Sequence, residues 1–174
     1  MLASWQKTAE KNRMKKINPF LWFDSEAEKA AKFYVGIFKN SKIGKIAPYG
    51  EEAAQKIGRP AGSVMTVEFT LDRVEFVALN GGPQFKFTEA ISFAVNCETQ
   101  DEIDYFWEKL SADGGSTGRC GWLKDKFGLS WQINPVFLGD MLADPDAGKA
   151  NRVMKAMMEM DKIHIAALEK AAKG

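Results

Sequence analysis

Few side chains in this 174-residue chain could do chemistry, and their scarcity is informative. The chain has one histidine, His164, and two cysteines, Cys97 and Cys120. Imidazole-rich zinc sites, H-E-x-x-H helices and 2-His-1-carboxylate iron sites each need at least two histidines, so a single chain cannot supply them. His164 is also the only partner for a Ser–His or Cys–His pair. It falls in a helical pattern with Met160, Ile163, Ile165 and Leu168, where a histidine on a helix face is the simpler reading. Cys120 could be a nucleophile, but no base is in view and a packed thiol is favoured. The two cysteines include no C-x-x-C and make no disulfide framework, so reduced thiols in a cytoplasmic setting are expected. Carboxylates remain. Glu68 and Glu75 could divide acid and base roles, or could be solvated and inert.

The bulk numbers narrow the partners. Twenty-four basic and 23 acidic residues leave a net charge of +1, which offers no electrostatic footprint for nucleic acid or anionic lipid. Hydrophobic content of 45% and charged content of 27% are those of a globular domain. No apolar run reaches the roughly 18 residues of a membrane span. Residues 1–15 lack the apolar core of a signal peptide and read as a polar amphipathic extension.

The elements that must position any site follow a repeated pattern. Ile17 to Phe23 reads as a strand, and Ser25-x-x-Glu28 reads as a capping box. The helix behind it places Ala30, Phe33, Tyr34 and Ile37 on one face. The pattern then recurs: Ala90 to Val95 as a strand, Thr99-x-x-Glu102 as a second box, and Ile103, Phe106, Trp107 and Leu110 as a second face. Each apolar quartet member lies 73 positions from its counterpart. Two such sentences imply module duplication. Strands then close each half. Lys42 to Tyr49, Ser63 to Leu71 and Val74 to Asn80 belong to the first, with an Asp72-Arg73 hairpin turn. Thr117 to Leu123 and Leu129 to Asn134 belong to the second, around Lys124–Gly128, where Asp125 and Gly128 serve the turn. Residues 50–62 read as loop. From Phe137 the pattern is helical, broken at Asp144-Pro145, with Val153, Met157, Met160 and His164 at near-helical spacing.

Strand alternation assigns faces. Ile17, Pro19, Leu21 and Phe23 oppose Asn18, Phe20 and Trp22. Ile91, Phe93 and Val95 oppose Ser92, Ala94 and Asn96, while Leu129, Trp131 and Ile133 oppose Ser130, Gln132 and Asn134. Pairing Leu71 with Val74 sets Glu68, Thr70, Glu75, Val77 and Leu79 against Met65, Val67, Phe69, Phe76 and Ala78. The apolar sets belong under helices; the mixed polar and aromatic sets suit a small-molecule site. Trp131 belongs to the core and Trp122 to the rim.

Three segments carry a resemblance. INPFLWFDSEAEKAAKFYVGIF, ALNGGPQFKFTEAISFAVNCETQDEIDYFWEKL and the stretch from CGWLKDKFGLSWQINP to MDKIHI resemble the PhnB-like branch of the glyoxalase/bleomycin-resistance/dioxygenase (vicinal oxygen chelate) superfamily. The resemblance runs from about Lys16 to Ile165. It implies an α+β fold in which two tandem βαβββ modules form a cup-shaped mixed sheet, followed by C-terminal helices. The expected organisation is 1–15 as N-terminal extension, 16–82 and 83–136 as modules, and 137–174 as helical extension. A homodimer is also implied, as are metal-ligand positions at Asn18, at or next to Glu75, at Ser92 and at Gln132. Asn and Ser are weak neutral donors where imidazoles would be wanted, so no metal or other cofactor is expected.

Members of this branch often carry a 3-demethylubiquinone-9 3-methyltransferase label. Methyl transfer from S-adenosylmethionine is usually served by a glycine-rich strand-to-helix turn, and here Gly81-Gly82 precedes Pro83 and Gly114-Gly115 follows a helix. The expected function is therefore metal-independent binding of a small molecule through Asn18, Phe20, Trp22, Glu75, Ser92, Trp122 and Gln132. The alternative is a lyase, isomerase or dioxygenase with Glu75 as base or metal ligand. A purely structural dimer is the third reading.

Overall fold

The computed structural model describes residues 16–174, so the expected N-terminal extension lies outside the described residues. The chain divides into two compact units between Lys86 and Phe87.

In the first unit the order is β1 (Phe20–Phe23), α1 (Ala27–Ile37), β2 (Lys42–Pro48), α2 (Glu51–Ile57), β3 (Val64–Leu71) and β4 (Val74–Asn80). The sheet order is β1-β4-β3-β2, with β1 parallel to β4 and the other pairs antiparallel. Leu71 pairs with Val74 across Asp72 and Arg73, both at positive φ, which makes the tight two-residue turn the sequence predicts. The helix side holds Leu21, Phe23, Ala30, Tyr34, Phe69 and Phe76, all buried. Phe69 lies between Tyr34 and Phe76, with ring centroids 6.2 and 5.3 Å away.

Three local expectations need correction here. The strand begins at Phe20 rather than Ile17, and Ile17 is 88% exposed. Pro19 has no N–H to donate, although its carbonyl still accepts from Val77 at 3.0 Å. The first capping box does not form. Glu26 occupies the cap position without a side-chain bond, and Glu28 pairs with Lys32 instead. The first helical N–H, that of Ala27, donates to Asn80 Oδ1 at 2.8 Å, so the cap comes from the end of β4. Finally, residues 51–57 are a helix rather than loop. Gly50 precedes it, Gly58 closes it at φ 70°, and Glu51, Glu52 and Lys56 complement its dipole.

The second unit repeats the arrangement: β5 (Ser92–Cys97), α3 (Gln100–Ser111), β6 (Ser116–Thr117), β7 (Trp122–Lys124) and β8 (Ser130–Pro135), in the order β5-β8-β7-β6. This is a second βαβββ module. Here the side-chain cap forms: Thr99 Oγ1 accepts from Glu102 N at 3.2 Å, and the Glu102 carboxylate reaches back one residue beyond the cap, accepting from Glu98 N at 2.7 Å. Val95, Ile103, Leu110, Leu123, Trp131 and Ile133 are buried between α3 and the sheet. Ile91, expected in that layer, precedes β5 and is 70% exposed. The single strand expected from Thr117 to Leu123 is a hairpin. Thr117 pairs with Leu123 around a turn in which Cys120 and Gly121 take positive φ.

The C-terminal region forms α4 (Leu138–Leu142), α5 (Ala147–Met158) and α6 (Ile165–Lys173). Val153, Met157, Met160 and His164 do not share one helix face, because α5 ends at Met158 and His164 is the exposed residue preceding α6. The link between these helices is fastened to the module. Met160 and Asp161 carbonyls accept from the Cys120 and Gly121 amides at 2.7 Å each, and the Gln100 side chain bonds both Ile163 O and Ile165 N. Among the described residues no helix is long and apolar enough to cross a membrane.

Candidate functional site

In the second unit, alternation turns Ser92, Trp122, Lys124, Ser130, Gln132 and Asn134 away from the layer that holds α3. Register brings them together. In the parallel β5–β8 pair Ser92 lies opposite Ser130, and in the β7–β8 pair Trp122 lies opposite Gln132 and Lys124 opposite Ser130. Gln132 Nε2 donates to Ser92 Oγ at 2.8 Å, so two of the predicted ligand positions are in direct contact. Lys124 Nζ lies 2.5 Å from Glu89, whose carboxyl it holds below the usual carboxylate range, chiefly by that hydrogen bond. The positive charge on this face is therefore compensated within the unit.

Two residues of this face escaped the sequence reading as site candidates. Ser130 is fully buried and its Oγ has no hydrogen-bond partner; Asn134 Oδ1 is likewise buried and unpartnered. Such groups are uncommon in folded proteins and each asks for an explanation. The only sequence signal was that they share the alternation of Gln132.

The turn below this face is structural. Asp125 is 2% exposed and accepts from Phe127 N, Leu129 N and Trp131 Nε1 at 2.8, 3.1 and 2.9 Å. One buried carboxylate thus closes the loop and fixes the core tryptophan. Cys97 is also buried, and desolvation, reinforced by the Glu102 charge, pushes its thiol up to about 12, so it is not a nucleophile at neutral pH.

In the first unit, Asn18, Phe20 and Trp22 precede or lie along β1, and Glu75 lies in β4 opposite Thr70. Continuing the parallel register backward from Phe20 and Val77 sets Asn18 level with Glu75. Asn18 Oδ1 is buried without a partner, and Phe20 is 60% exposed. Trp22 is held from three directions. Its Nε1 donates to Gly82 O at 2.8 Å, Phe85 meets its ring edge-on at 5.0 Å, and a Cβ on Gly81 would lie 2.3 Å from its Cζ2. Gly81 therefore makes room for an indole.

Two open clefts lie elsewhere in the second unit. One, of about 470 Å³, is lined by Trp107, Thr117 and the 159–164 link; the other, of about 650 Å³, by Phe137, Met141, Ala172 and neighbouring charged residues. None of the seven predicted ligand residues lines either. Among the described residues, no three His, Cys, Asp or Glu side chains are grouped to share a metal ion. The four expected ligand positions carry two amides, a hydroxyl and one carboxylate, and the Gln132 amide and Ser92 hydroxyl are already bonded to each other. That donor set does not fit a divalent transition metal.

Comparison with known proteins agrees with the topology. A family model described as 3-demethylubiquinone-9 3-methyltransferase matches residues 15–134. A PhnB protein of known structure from Bacillus cereus, carrying the same description, is 36% identical over 68% of this chain and 98% of its own, with a TM-score of 0.60. A Pseudomonas aeruginosa protein shares the fold at 19% identity, covering 70% of this chain and 97% of its own, with a TM-score of 0.55. None of the curated proteins compared with the chain matches it.

Proposed function

The chain belongs to the family described as 3-demethylubiquinone-9 3-methyltransferase, with PhnB-like members of the glyoxalase/bleomycin-resistance fold, and from that premise we propose that it is a metal-independent small-molecule-binding protein. The observation that carries this reading is the 2.8 Å bond from Gln132 to Ser92. It ties two positions where this fold would place metal ligands into a neutral hydrogen-bonding pair beside Trp122. Neutral polar groups next to an aromatic ring are how a small-molecule site fixes orientation.

The methyl transfer named in the family's description draws no support from these residues. Gly81 faces Trp22 and Gly115 is pressed against the carbonyls of Ser111 and Lys124, while Gly82 and Gly114 take positive φ, so the two pairs serve packing and turn geometry. The same reading includes a cytoplasmic homodimer, for which light scattering at several concentrations is the direct measurement.

The test uses full-length protein purified without chelator. Metal analysis should find no stoichiometric zinc, nickel, iron or manganese. A small molecule that raises the melting temperature should do so equally with and without EDTA. A near-stoichiometric metal, or ligand stabilisation that EDTA abolishes, would overturn the proposal. Loss of turnover of a substrate so identified in Glu75→Gln would favour the enzyme reading instead.

A further inference from the structure

The cleft of about 470 Å³ in the second unit is lined by Trp107 of α3 together with Glu159, Met160, Asp161, Lys162 and His164 of the link between α5 and α6. The link lies past residue 134, where the family match ends. It is fastened along its length. Met158 O accepts from Arg119 at 3.2 Å, Met160 O and Asp161 O from the Cys120 and Gly121 amides at 2.7 Å, and Ile163 O from Gln100 at 3.1 Å. With these carbonyls turned to the module, the side chains of the link are left to line the cleft.

The charges around the cleft do not balance. Lys162 Nζ lies 2.6 Å from Asp104, whose carboxyl it holds below the usual carboxylate range, chiefly through that hydrogen bond. Arg119 comes no nearer to Asp161 than 3.8 Å, and the Asp161 side chain is 63% exposed. Glu159 is exposed, and its side chain has no partner among the described residues. Against Lys162 and Arg119 there are thus three carboxylates, Asp104, Glu159 and Asp161, and the excess is negative. Among the described residues Glu159, Asp161 and His164 are not grouped closely enough to share a metal ion. Carboxylates spread around a cleft suit a large, diffuse cation better than a compact one.

Trp107 narrows the class. It is half-buried in the cleft wall, and an indole is the aromatic ring that attracts cations most strongly. A primary ammonium is strongly hydrated and gains little from such a wall in an open cleft, whereas a methylated ammonium presents apolar, weakly hydrated methyl groups that carry the charge. The thioether of Met160 is a further soft apolar neighbour.

We propose that this cleft is a second binding site, separate from the face around Gln132 and Trp122, and that it takes small methylated ammonium ions. Trp107 and Met160 receive the methyl groups, and Glu159 and Asp161 supply the opposite charge. Because the carboxylates are exposed, binding is weak, in the millimolar range, and weakens further with salt.

Choline and its uncharged isostere 3,3-dimethyl-1-butanol share a shape and differ in charge. With full-length protein labelled with nitrogen-15, at pH 8 and constant ionic strength, the reporters are the Trp107 indole N–H, assigned through Trp107→Phe, and the backbone amides of 159–164. Choline should shift them saturably, with the alcohol at least about fivefold weaker. Glu159→Gln should leave the melting temperature unchanged, since that side chain holds nothing, yet weaken choline several-fold. Lys162→Gln, which frees Asp104, should tighten it. No saturable shift with choline, equal binding of the alcohol, or unchanged affinity in Glu159→Gln would overturn the proposal. So would shifts confined to the Trp122 indole and the Gln132 amide, a result that leaves small-molecule binding at that other face standing.

Discussion

Replacing Gly81 by alanine probes the contact that holds Trp22. The added Cβ would lie 2.3, 2.4 and 2.6 Å from Cζ2, Cε2 and Cη2 of the indole, whereas carbon atoms rest about 3.5–4.0 Å apart. Gly81 is not among the glycines at positive φ, so the effect is steric rather than conformational. The ring must move by roughly 1 Å or more, and in moving it gives up its bond to Gly82 O and its edge-on contact with Phe85. A neutral hydrogen bond contributes about 1 kcal/mol. An aromatic pair contributes about 0.5–1.5 kcal/mol. With residual crowding, the expected loss is about 2–4 kcal/mol. For a chain of this length that lowers the melting temperature by roughly 4–16 °C. The assay is a double-mutant cycle by thermal and urea denaturation. In a Trp22→Ala background, where the indole is gone, Gly81→Ala should be nearly neutral, leaving a coupling energy of at least about 1 kcal/mol. An equal effect in both backgrounds, or none in the native one, would refute the reasoning.

Asp125→Ala should lose about 3–5 kcal/mol in urea denaturation, because three donors around a buried carboxylate lose their acceptor together. Asp125→Asn should lose less, since one oxygen can still serve Phe127 and Leu129; a loss below about 1 kcal/mol for alanine would contradict the buried network. Asn80→Ala should lose about 2–3 kcal/mol by removing the α1 cap and the bond to Val64 O, whereas Ser25→Ala should be within about 0.5 kcal/mol of native. The reverse order would restore the local capping box. Cys97 keeps its proton in the folded state to about pH 12, against 9.0 for an exposed thiol, so its contribution is intact below pH 9 and is lost as pH rises from 9 toward 12. Iodoacetamide at pH 8 should label Cys120 before Cys97 by mass spectrometry, and Cys97→Ala should flatten the alkaline loss of stability.

Some of this architecture is written locally in the residues. Apolar residues at helical spacing announce α1 and α3, and the Asp72-Arg73 turn sets the register of β3 and β4, because both signals act within a few residues. Alternation then separates Trp131 from Gln132 and identifies the polar row of β8. The poor donor set at the expected metal positions was equally legible, since donor chemistry belongs to the residue type.

What alternation could not say is what each outward group meets, because that depends on segments far apart in the chain. Asn80, 53 positions from Ala27, caps α1 although Ser25-x-x-Glu28 had the right local pattern. Gly82 keeps the positive φ that suits a turn, but Gly81 beside it accommodates an indole from β1. The turn at Cys120 and Gly121 is fastened by carbonyls of a link 40 residues later. Which polar atoms of β8 are satisfied and which are left open was decided the same way. Periodicity is a property of one strand, but a hydrogen bond is completed only when the fold brings its second partner, and for Ser130 and Asn134 it brings none.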